Sequence, residues 1–210
     1  MNGTNVPDIA AQENAAHAPR GIARREAILR AAVNLIGEQG PDSLTHRAVA
    51  ERAGVSLSAT TYWFSSKEEI FREAVALAAG EEVARLEGLV LALAPRNLTP
   101  IVWARELSAA LAADVRSNPA QPVAMYEFVL EASREPALRD EVARWERAHL
   151  RLAEAGLRAV GSADPETDAH IVVAVVSGLM LGLLANPNPQ FERDVMRPTL
   201  ERLFTRLVAD

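Results

Sequence analysis

A run of hydroxyl and aromatic side chains stands out near the N-terminal third of the chain. It comprises Ser58, Thr60, Thr61, Tyr62 and Trp63. Hydroxyl groups both donate and accept hydrogen bonds, so on a helix such side chains could reach phosphates and base edges in a DNA groove. The chemistry that this run indicates is recognition of nucleic acid.

Residues that could make or break bonds are scarce. The sequence has no cysteine, which excludes thiolate metal sites and cysteine nucleophiles, and it has no glycine-rich phosphate loop. Glu146 and His149 have the Glu-x-x-His spacing of di-iron bundles, but such sites need a second copy and further glutamates. Glu166 and His170, four residues apart, are a still weaker metal pattern. We therefore predict no catalytic residue, metal or cofactor, and a protein that is not an enzyme.

Two short helices must position the hydroxyl-rich run. They are predicted over residues 45–53 and 56–63, on either side of Gly54 and Val55. Glycine adopts the positive φ that a tight turn between helices needs. Val55 is expected to pack under the turn, and Ser56 to cap the second helix. This pattern is typical of a helix-turn-helix, whose second helix enters the major groove.

The rest of the chain has helical periodicity and almost no strand-like alternation, so the predicted fold class is all-α with nine helices. The first is expected to start at Ile22 and to end near Gly37–Gly40. A long helix is expected to start at Ser66, with Ser66 and Glu69 as a capping box, and to end near Leu93. The others are predicted near 99–117, 119–133, 136–160, 165–185 and 190–208.

The chain is predicted to have three parts: a disordered tail over 1–20, a helix-turn-helix domain over 21–66 (the head) and a helical domain over 67–210 (the body). The net charge of the chain is −6, yet residues 20–72 carry +2 and residues 73–210 carry −6. A mildly basic head on an acidic body is the charge distribution expected of a protein that meets DNA at one end.

A wider set of residues surrounds the helix-turn-helix. It consists of Ile28-Leu29-Arg30-Ala31-Ala32, Gly40, Thr45, Val49-Ala50, Ala53-Gly54-Val55-Ser56, Phe64 and Ser66-Lys67-Glu68. In residue type and spacing this stretch resembles the N-terminal domain of TetR-family regulators. The resemblance implies a nine-helix architecture with a C-terminal ligand-binding and dimerisation domain. It also implies a dimeric repressor, released from DNA when a small molecule occupies that domain.

The resemblance further implies which residues contact DNA. Thr45 and Lys67 stand at helix starts, where backbone amides favour anions, and are expected to contact phosphates. Lys67 is also the only lysine of the chain. Arg47 and Ser56 complete the candidate set together with the hydroxyl-rich run.

The recognition helix departs from the common family pattern. That pattern has Leu and Tyr at the positions of Thr60 and Thr61, whereas the aromatic residues here are Tyr62 and Trp63. One position turns a helical side chain by about 100°. The sequence therefore leaves open whether Tyr62 or Trp63 faces DNA and which one packs inside.

An apolar helix near the C-terminus predicts a second subunit. Residues 171–185 are apolar on nearly every side and need cover all round. The resemblance implies that the last two long helices of each subunit form a four-helix dimer interface; the alternative is a buried helix in a monomer. A homodimer would read a near-palindromic operator. Predicted interface residues are Val172, Val176, Leu179, Leu183, Leu200 and Phe204.

Bulky, adaptable side chains cluster in the fifth to eighth helices and are candidates for a small-molecule pocket. His149 is the polar member of an apolar helix face, so it is either a hydrogen-bond anchor for a ligand or a satisfied core histidine. The others are equally open to a plain core role. The candidate ligand-binding residues are Trp103, Leu107, Met125, Phe128, Trp145, His149 and Met180.

The sequence also indicates a compartment. Residues 1–19 have no apolar segment of the kind that signal peptides carry, and the run 171–185 is short for a membrane span. We predict a cytoplasmic protein. The rival function is a helical small-molecule-binding protein or enzyme that uses the same fold without regulating transcription.

Overall fold

The computed structural model describes residues 9–93 and 98–209, with side chains over 21–92 and 98–209. All regular structure in these ranges is helical and comprises nine α-helices, as predicted. They are α1 (Ile9–Gln39), α2 (His46–Ala53), α3 (Leu57–Trp63), α4 (Lys67–Leu93), α5 (Pro100–Ser117), α6 (Ala120–Arg134), α7 (Arg139–Val160), α8 (Pro165–Ala185) and α9 (Arg197–Ala209). Short 3₁₀ turns cover Pro41–Ser43 and Pro136–Leu138, and a π-helical turn, Glu192–Met196, leads into α9.

Side-chain caps fix several helix starts. The side-chain oxygens of Thr45, Ser56, Thr99 and Asp164 each accept a hydrogen bond from the backbone N–H three residues on. Each bond satisfies one N–H that has no partner inside its helix. Because capping residues are visible in a sequence, most helix starts were predicted to within one or two positions.

The start of α4 differs in detail from the predicted capping box. Ser66 Oγ accepts from the Glu69 N–H at 3.2 Å, as expected. The Glu69 carboxylate, however, accepts from the N–H and the hydroxyl of Ser65, both at 2.6 Å, and not from Ser66. The Ser65 hydroxyl is the main reason why the pKa of Glu69 lies below its ordinary value.

The first helix starts earlier than expected. It begins at Ile9, so the stretch from Ile9 to Arg20 is helical where the sequence predicted a tail, and the predicted start at Ile22 is wrong. Residues 1–8 of that tail lie outside the described residues. The limits of head and body stay predictions.

Two apolar cores hold the helices together. The first core is built by α1, α2, α6, the start of α4 and the start of α7; Ile28, Ile36, Ile70 and Phe128 are fully buried in it. The second core is built by the rest of α4 and by α5, α7, α8 and α9. Since α4 and α7 contribute residues to both cores, these two helices connect the first core with the second.

Head and body meet where α1 crosses the start of α6. A Cβ atom on Gly37 would lie 1.9 Å from the carbonyl oxygen of Ala120, so only glycine fits at this crossing. Ala124, Met125 and Phe128 of α6 lie in the same core as the buried residues of α1. The body therefore contributes directly to the core beneath the helix-turn-helix.

Helix α8 is covered on one side only. It packs mainly against α7, and only 22% of its most apolar 18-residue window is buried. By length and composition alone, Pro165–Ala185 would be long and apolar enough to cross a membrane. The shorter estimate from residues 171–185 left out the first turns of the helix. An apolar helix with this much exposed surface needs further cover.

Candidate nucleic-acid interface and ligand-binding body

The turn of the helix-turn-helix has the predicted geometry. Gly54 ends α2 in the left-handed conformation with φ 65°, and its N–H donates to the carbonyls of Ala50 and Glu51. Val55 N–H donates to the Ala50 carbonyl at 2.9 Å, and its side chain packs against the first core. These contacts set the angle between α2 and α3.

Thr60 lies on the inner side of α3. It is fully buried, and its hydroxyl lies 2.8 Å from the Leu57 carbonyl and 3.4 Å from the His46 carbonyl, which links α3 to α2. A side chain without exposed surface does not reach a duplex. We therefore assign Thr60 to the core of the head and correct the predicted set accordingly.

The two aromatic residues of α3 have different environments. Tyr62 is 79% exposed, whereas Trp63 is half-buried against the first core, with its ring beside Gly21 of α1. The two rings meet edge to face with centroids 5.1 Å apart. Tyr62 is thus the aromatic residue that points to solvent, and Trp63 supports it from behind. Phe64, which follows α3, is buried in the core.

The outer face of α3 carries four exposed residues. Leu57, Ser58, Thr61 and Tyr62 follow the spacing of one helix face. Ser58 Oγ lies 2.9 Å from the hydroxyl of Ser56, which is itself the cap of α3. This face is the surface that the head offers to a groove.

The cations around the helix-turn-helix, from α1 to the start of α4, include paired and unpaired ones. Arg52 forms a fork with Glu38 and thereby lowers the pKa of that carboxyl, and Arg25 pairs with Glu73. Arg47 and Lys67 are exposed and make no salt bridge with any residue that the structure describes. They stand in the first turns of α2 and α4, and Arg47 comes two residues after the exposed cap Thr45.

Comparison with known families identifies both halves of the chain. Residues 28–74 match the family described as "Bacterial regulatory proteins, tetR family". Residues 100–210 match "Tetracyclin repressor-like, C-terminal domain", which is more than half of the chain. The chain belongs to the TetR family. It is a ligand-responsive, DNA-binding transcriptional regulator.

Solved structures of other TetR-type proteins are similar over nearly their whole length. The multidrug binding protein EbrR in complex with proflavin is 31% identical, with 86% of this chain and 99% of that chain covered and a TM-score of 0.55. A TetR-family member from Streptomyces coelicolor A3 is 30% identical, with coverages of 88% and 98% and a TM-score of 0.63. A transcriptional regulator from Rhodococcus sp. Rha1 is 25% identical, with coverages of 88% and 96% and a TM-score of 0.68. No curated protein matches this chain.

The candidate ligand-binding residues are divided between the two cores. Met125, Phe128 and Trp145 belong to the first core, and Trp103, Leu107 and Met180 to the second. His149 lies against the Trp145 ring, with centroids 4.5 Å apart. Bulky side chains at helical spacing can also fill the interior of a bundle, so a ligand-binding role for these residues stays a prediction.

A small cavity that the sequence did not reveal lies between head and body. Its volume is about 110 Å³, and its walls come from α1, α4, the start of α6 and Asn118, two residues before α6. Arg30 and Glu81 form an ion pair at its wall, 2.5 Å apart. The lining residues are Arg30, Val33, Asn34, Leu77, Ala78, Glu81, Asn118 and Gln121, none of which was in the candidate set.

Trp103 occupies a slot on the inner side of α7. The residue is 5% exposed, and a Cβ atom on Gly156 would lie 2.4 Å from its ring, so the indole rests directly on the α7 backbone. Its Nε1–H is buried and has no hydrogen-bond partner among the described residues. Leaving a buried donor without a partner costs about 1–3 kcal/mol of stability. A molecule that brings a hydrogen-bond acceptor to the Trp103 Nε1–H would remove this cost.

His149 lies at the boundary of the two cores, across from α4. Its Nδ1 is 3.0 Å from the Trp145 carbonyl, and its Nε2 is 3.7 Å from a Glu82 oxygen. Burial lowers the pKa of His149, and Arg85 acts in the same direction, while the Trp145 carbonyl and Glu82 oppose the shift. Both ring nitrogens of His149 thus lie near polar groups of the protein itself, which favours the alternative of a core histidine with its own partners.

The predicted dimer residues lie largely inside the monomer. Val172, Leu183, Leu200 and Phe204 are buried, with Phe204 packed 6.2 Å from the Trp103 ring. Val176 and Leu179 are half-buried. The exposed face of α8 is instead formed by another stripe, which we call the α8 stripe: Ile171, Ala174, Gly178, Leu181, Gly182 and Ala185.

Proposed function

We propose that this chain is a homodimeric repressor that leaves a near-palindromic operator when a small molecule binds in its body. The observation that carries the proposal is the surface of the head. An exposed, uncharged face of α3 is flanked along the chain by two helix starts, and these carry the cations Arg47 and Lys67, neither of which makes a salt bridge with a described residue. Such a surface suits a groove flanked by phosphates.

The proposed DNA contacts fall into two groups. Thr45, Arg47 and Lys67 contact phosphates and set the register of the head, because cations and helix-start amides favour anions. Ser58, Thr61 and Tyr62 enter the groove. Ser56 and Trp63 act from behind this face, since the Ser56 hydroxyl caps α3 and the Trp63 ring packs against α1.

The proposed dimer forms through the α8 stripe. Ile171, Ala174, Gly178, Leu181, Gly182 and Ala185 recur at the three- and four-residue spacing of a helix-packing surface. A Cβ atom on Gly178 would meet no atom within 4 Å, so the subunit leaves room there for close approach of a second helix. The other side of α8 is already used by α7. TetR-family regulators are soluble DNA-binding proteins, so a second subunit accounts for the exposed apolar surface, and the proposed location is the cytoplasm.

The proposed inducer site is the slot between α5 and α7. Trp103 fills this slot as a flat ring resting on Gly156, and its buried N–H lacks an acceptor. EbrR has been solved with proflavin and with malachite green. For this chain we propose an inducer that is a flat aromatic molecule with a hydrogen-bond acceptor. It would stack on the Trp103 ring or take the place of that ring in the slot. Native mass spectrometry of the purified regulator would detect such a molecule if it co-purifies.

Salt-dependent DNA binding tests the proposed contacts. Lys67→Ala should reduce the slope of log affinity against log salt by about 1 for each subunit, because one phosphate contact is lost. Fluorescence anisotropy with DNA from upstream of the regulator's own gene measures this slope. Arg134→Ala, which removes an exposed cation of the body, should leave it unchanged. Equal slopes for Lys67→Ala and the unmodified protein would contradict the assignment of Lys67.

A further inference from the structure

The recognition helix contains none of the side chains that usually identify purines. Residues 57–63 read Leu-Ser-Ala-Thr-Thr-Tyr-Trp, without arginine, lysine, asparagine or glutamine. In the major groove, Arg or Lys pairs with guanine, and Asn or Gln pairs with adenine. The groups left for direct readout are apolar surfaces and hydroxyls.

The hydroxyls of α3 are largely used within the helix. Thr61 Oγ1 lies 3.3 Å from both the Leu57 and the Ser58 carbonyls, and Ser58 Oγ pairs with Ser56. The Thr61 side chain is exposed, so its methyl group adds apolar surface to this face. Leu57, one turn earlier on the same face, is apolar and 45% exposed. The centre of the outer face is therefore more apolar than its hydroxyl-rich sequence suggests.

The unpaired cations Arg47 and Lys67 belong to the helices before and after α3. Arg47 stands in the first turn of α2 and Lys67 begins α4. In a helix-turn-helix the helix before the recognition helix crosses the DNA backbone. These positions suit phosphate contacts, which supply affinity without sequence information.

We infer that Leu57 and Thr61 read the C5-methyl groups of thymines, so that A·T pairs and not guanines specify the centre of each operator half-site. Thymine is the base whose major-groove edge carries a methyl group, and apolar side chains recognise it by contact. This inference rests on the proposed DNA-binding function and adds the class of base that the head selects.

Replacing thymine by uracil tests the inference, since uracil keeps the base pairing and lacks only the methyl group. Half-sites are first selected from a random duplex library with the full-length protein. Each thymine of the selected duplex is then replaced by uracil, and affinity is measured by anisotropy. We expect the affinity to fall about fourfold for each contacted methyl group, which is the effect of leaving one apolar carbon unburied.

Two substitutions of the same residue separate the methyl group from the hydroxyl. Thr61→Ser removes the methyl group and keeps the hydroxyl, whereas Thr61→Val keeps a methyl group and removes the hydroxyl. The Thr61→Val protein should still discriminate thymine from uracil, and the Thr61→Ser protein should lose this discrimination at one position of each half-site. Leu57→Ala should lose it at a neighbouring position. Thermal melting checks that all three variants are folded.

Three results are distinguishable. Affinity that is unchanged by uracil throughout, or half-sites whose central bases are guanines, would overturn the inference while leaving DNA binding intact. If the library yields no enriched sequence, the proposed operator binding itself fails. Discrimination lost in Thr61→Val and kept in Thr61→Ser would assign the readout to the hydroxyl and overturn the methyl contact.

Discussion

At the scale of single residues, glycines decide how closely the helices of the body approach. Gly156 has no side chain, and the Trp103 indole occupies the space that a Cβ atom would take. This contact fixes the ring in the second core next to Phe204. A single added methyl group there must move the ring, because packed interiors have little spare volume.

Gly156→Ala should therefore lower the free energy of unfolding by about 1–3 kcal/mol, the usual cost of overpacking a core. Gly88 provides a matched control in α4, since a Cβ atom there would meet no atom within 4 Å. Gly88→Ala should stabilise the protein by about 0.5–1 kcal/mol, because alanine favours the helix. Urea denaturation measures both values, and a neutral Gly156→Ala would show that the slot has room to spare.

Residue roles in α3 show what the sequence could and could not predict. The turn at Gly54, the cap at Ser56 and the core position of Phe64 were predictable, because each depends on local chemistry. The exposure of Tyr62, the half-burial of Trp63 and the burial of Thr60 depend on how α3 is rotated about its axis against α1 and α2. A threonine fits either side of a helix, so its sequence position does not reveal its burial.

At the scale of elements, the start of α9 is held by one carboxylate. Pro198 has no N–H, and the backbone before it widens into a π-helical turn in which Arg197 N–H donates to the Glu192 carbonyl. The Glu192 carboxylate accepts from the Arg197 guanidinium at 2.8 and 2.9 Å and from the buried Ser108 of α5 at 2.8 Å. The hydrogen bond from Arg197 is the main cause of a lowered Glu192 pKa, and Ser108 adds to it.

This lowered pKa predicts a pH-dependent contribution to stability. The folded protein binds the Glu192 proton less readily than the unfolded chain, so the contribution is full above the ordinary glutamate pKa of 4.5 and is lost as the pH falls through the lowered value. Glu192→Gln should therefore be less stable than the unmodified protein at pH 7, and the two should converge in acid. Thermal melting from pH 7 to pH 3 measures this; a difference that persists unchanged at pH 3 would contradict it.

Element positions were more predictable than element faces. The start of α8 at Asp164 and Pro165 and the ends at Gly54 and Gly161 follow from capping and left-handed glycine, which are local. The inner face of α8 did not follow, because the residues that pack in a monomer and those that pack in a dimer are equally apolar. Only the placement of α7 distinguishes the buried Val172 from the exposed Ile171.

At the scale of the whole molecule, the α8 stripe is an exposed apolar surface that a second subunit would cover. Leu181 is 49% exposed in its centre, beside the two glycines. Leu181→Arg should convert the proposed dimer into monomers, because it places a charge within an apolar helix contact. Light scattering after gel filtration measures the mass of each species.

Leu130→Arg is the control for this substitution. Leu130 of α6 is 54% exposed, so the exchange is chemically the same but lies outside the α8 stripe. The control should keep the mass of the unmodified protein. A Leu181→Arg protein that stays dimeric would move the interface to another surface.

The crossing of Gly37 over Ala120 has a consequence for how relatives of this regulator diversify. The helix-turn-helix rests on a core that α6 completes, so the boundary between head and body is no seam at which a gene could exchange one domain for another. A foreign head would bring an α1 surface shaped for a different α6. We therefore expect a change of target DNA to come from substitutions on the exposed face of α3, with the contact between α1 and α6 retained.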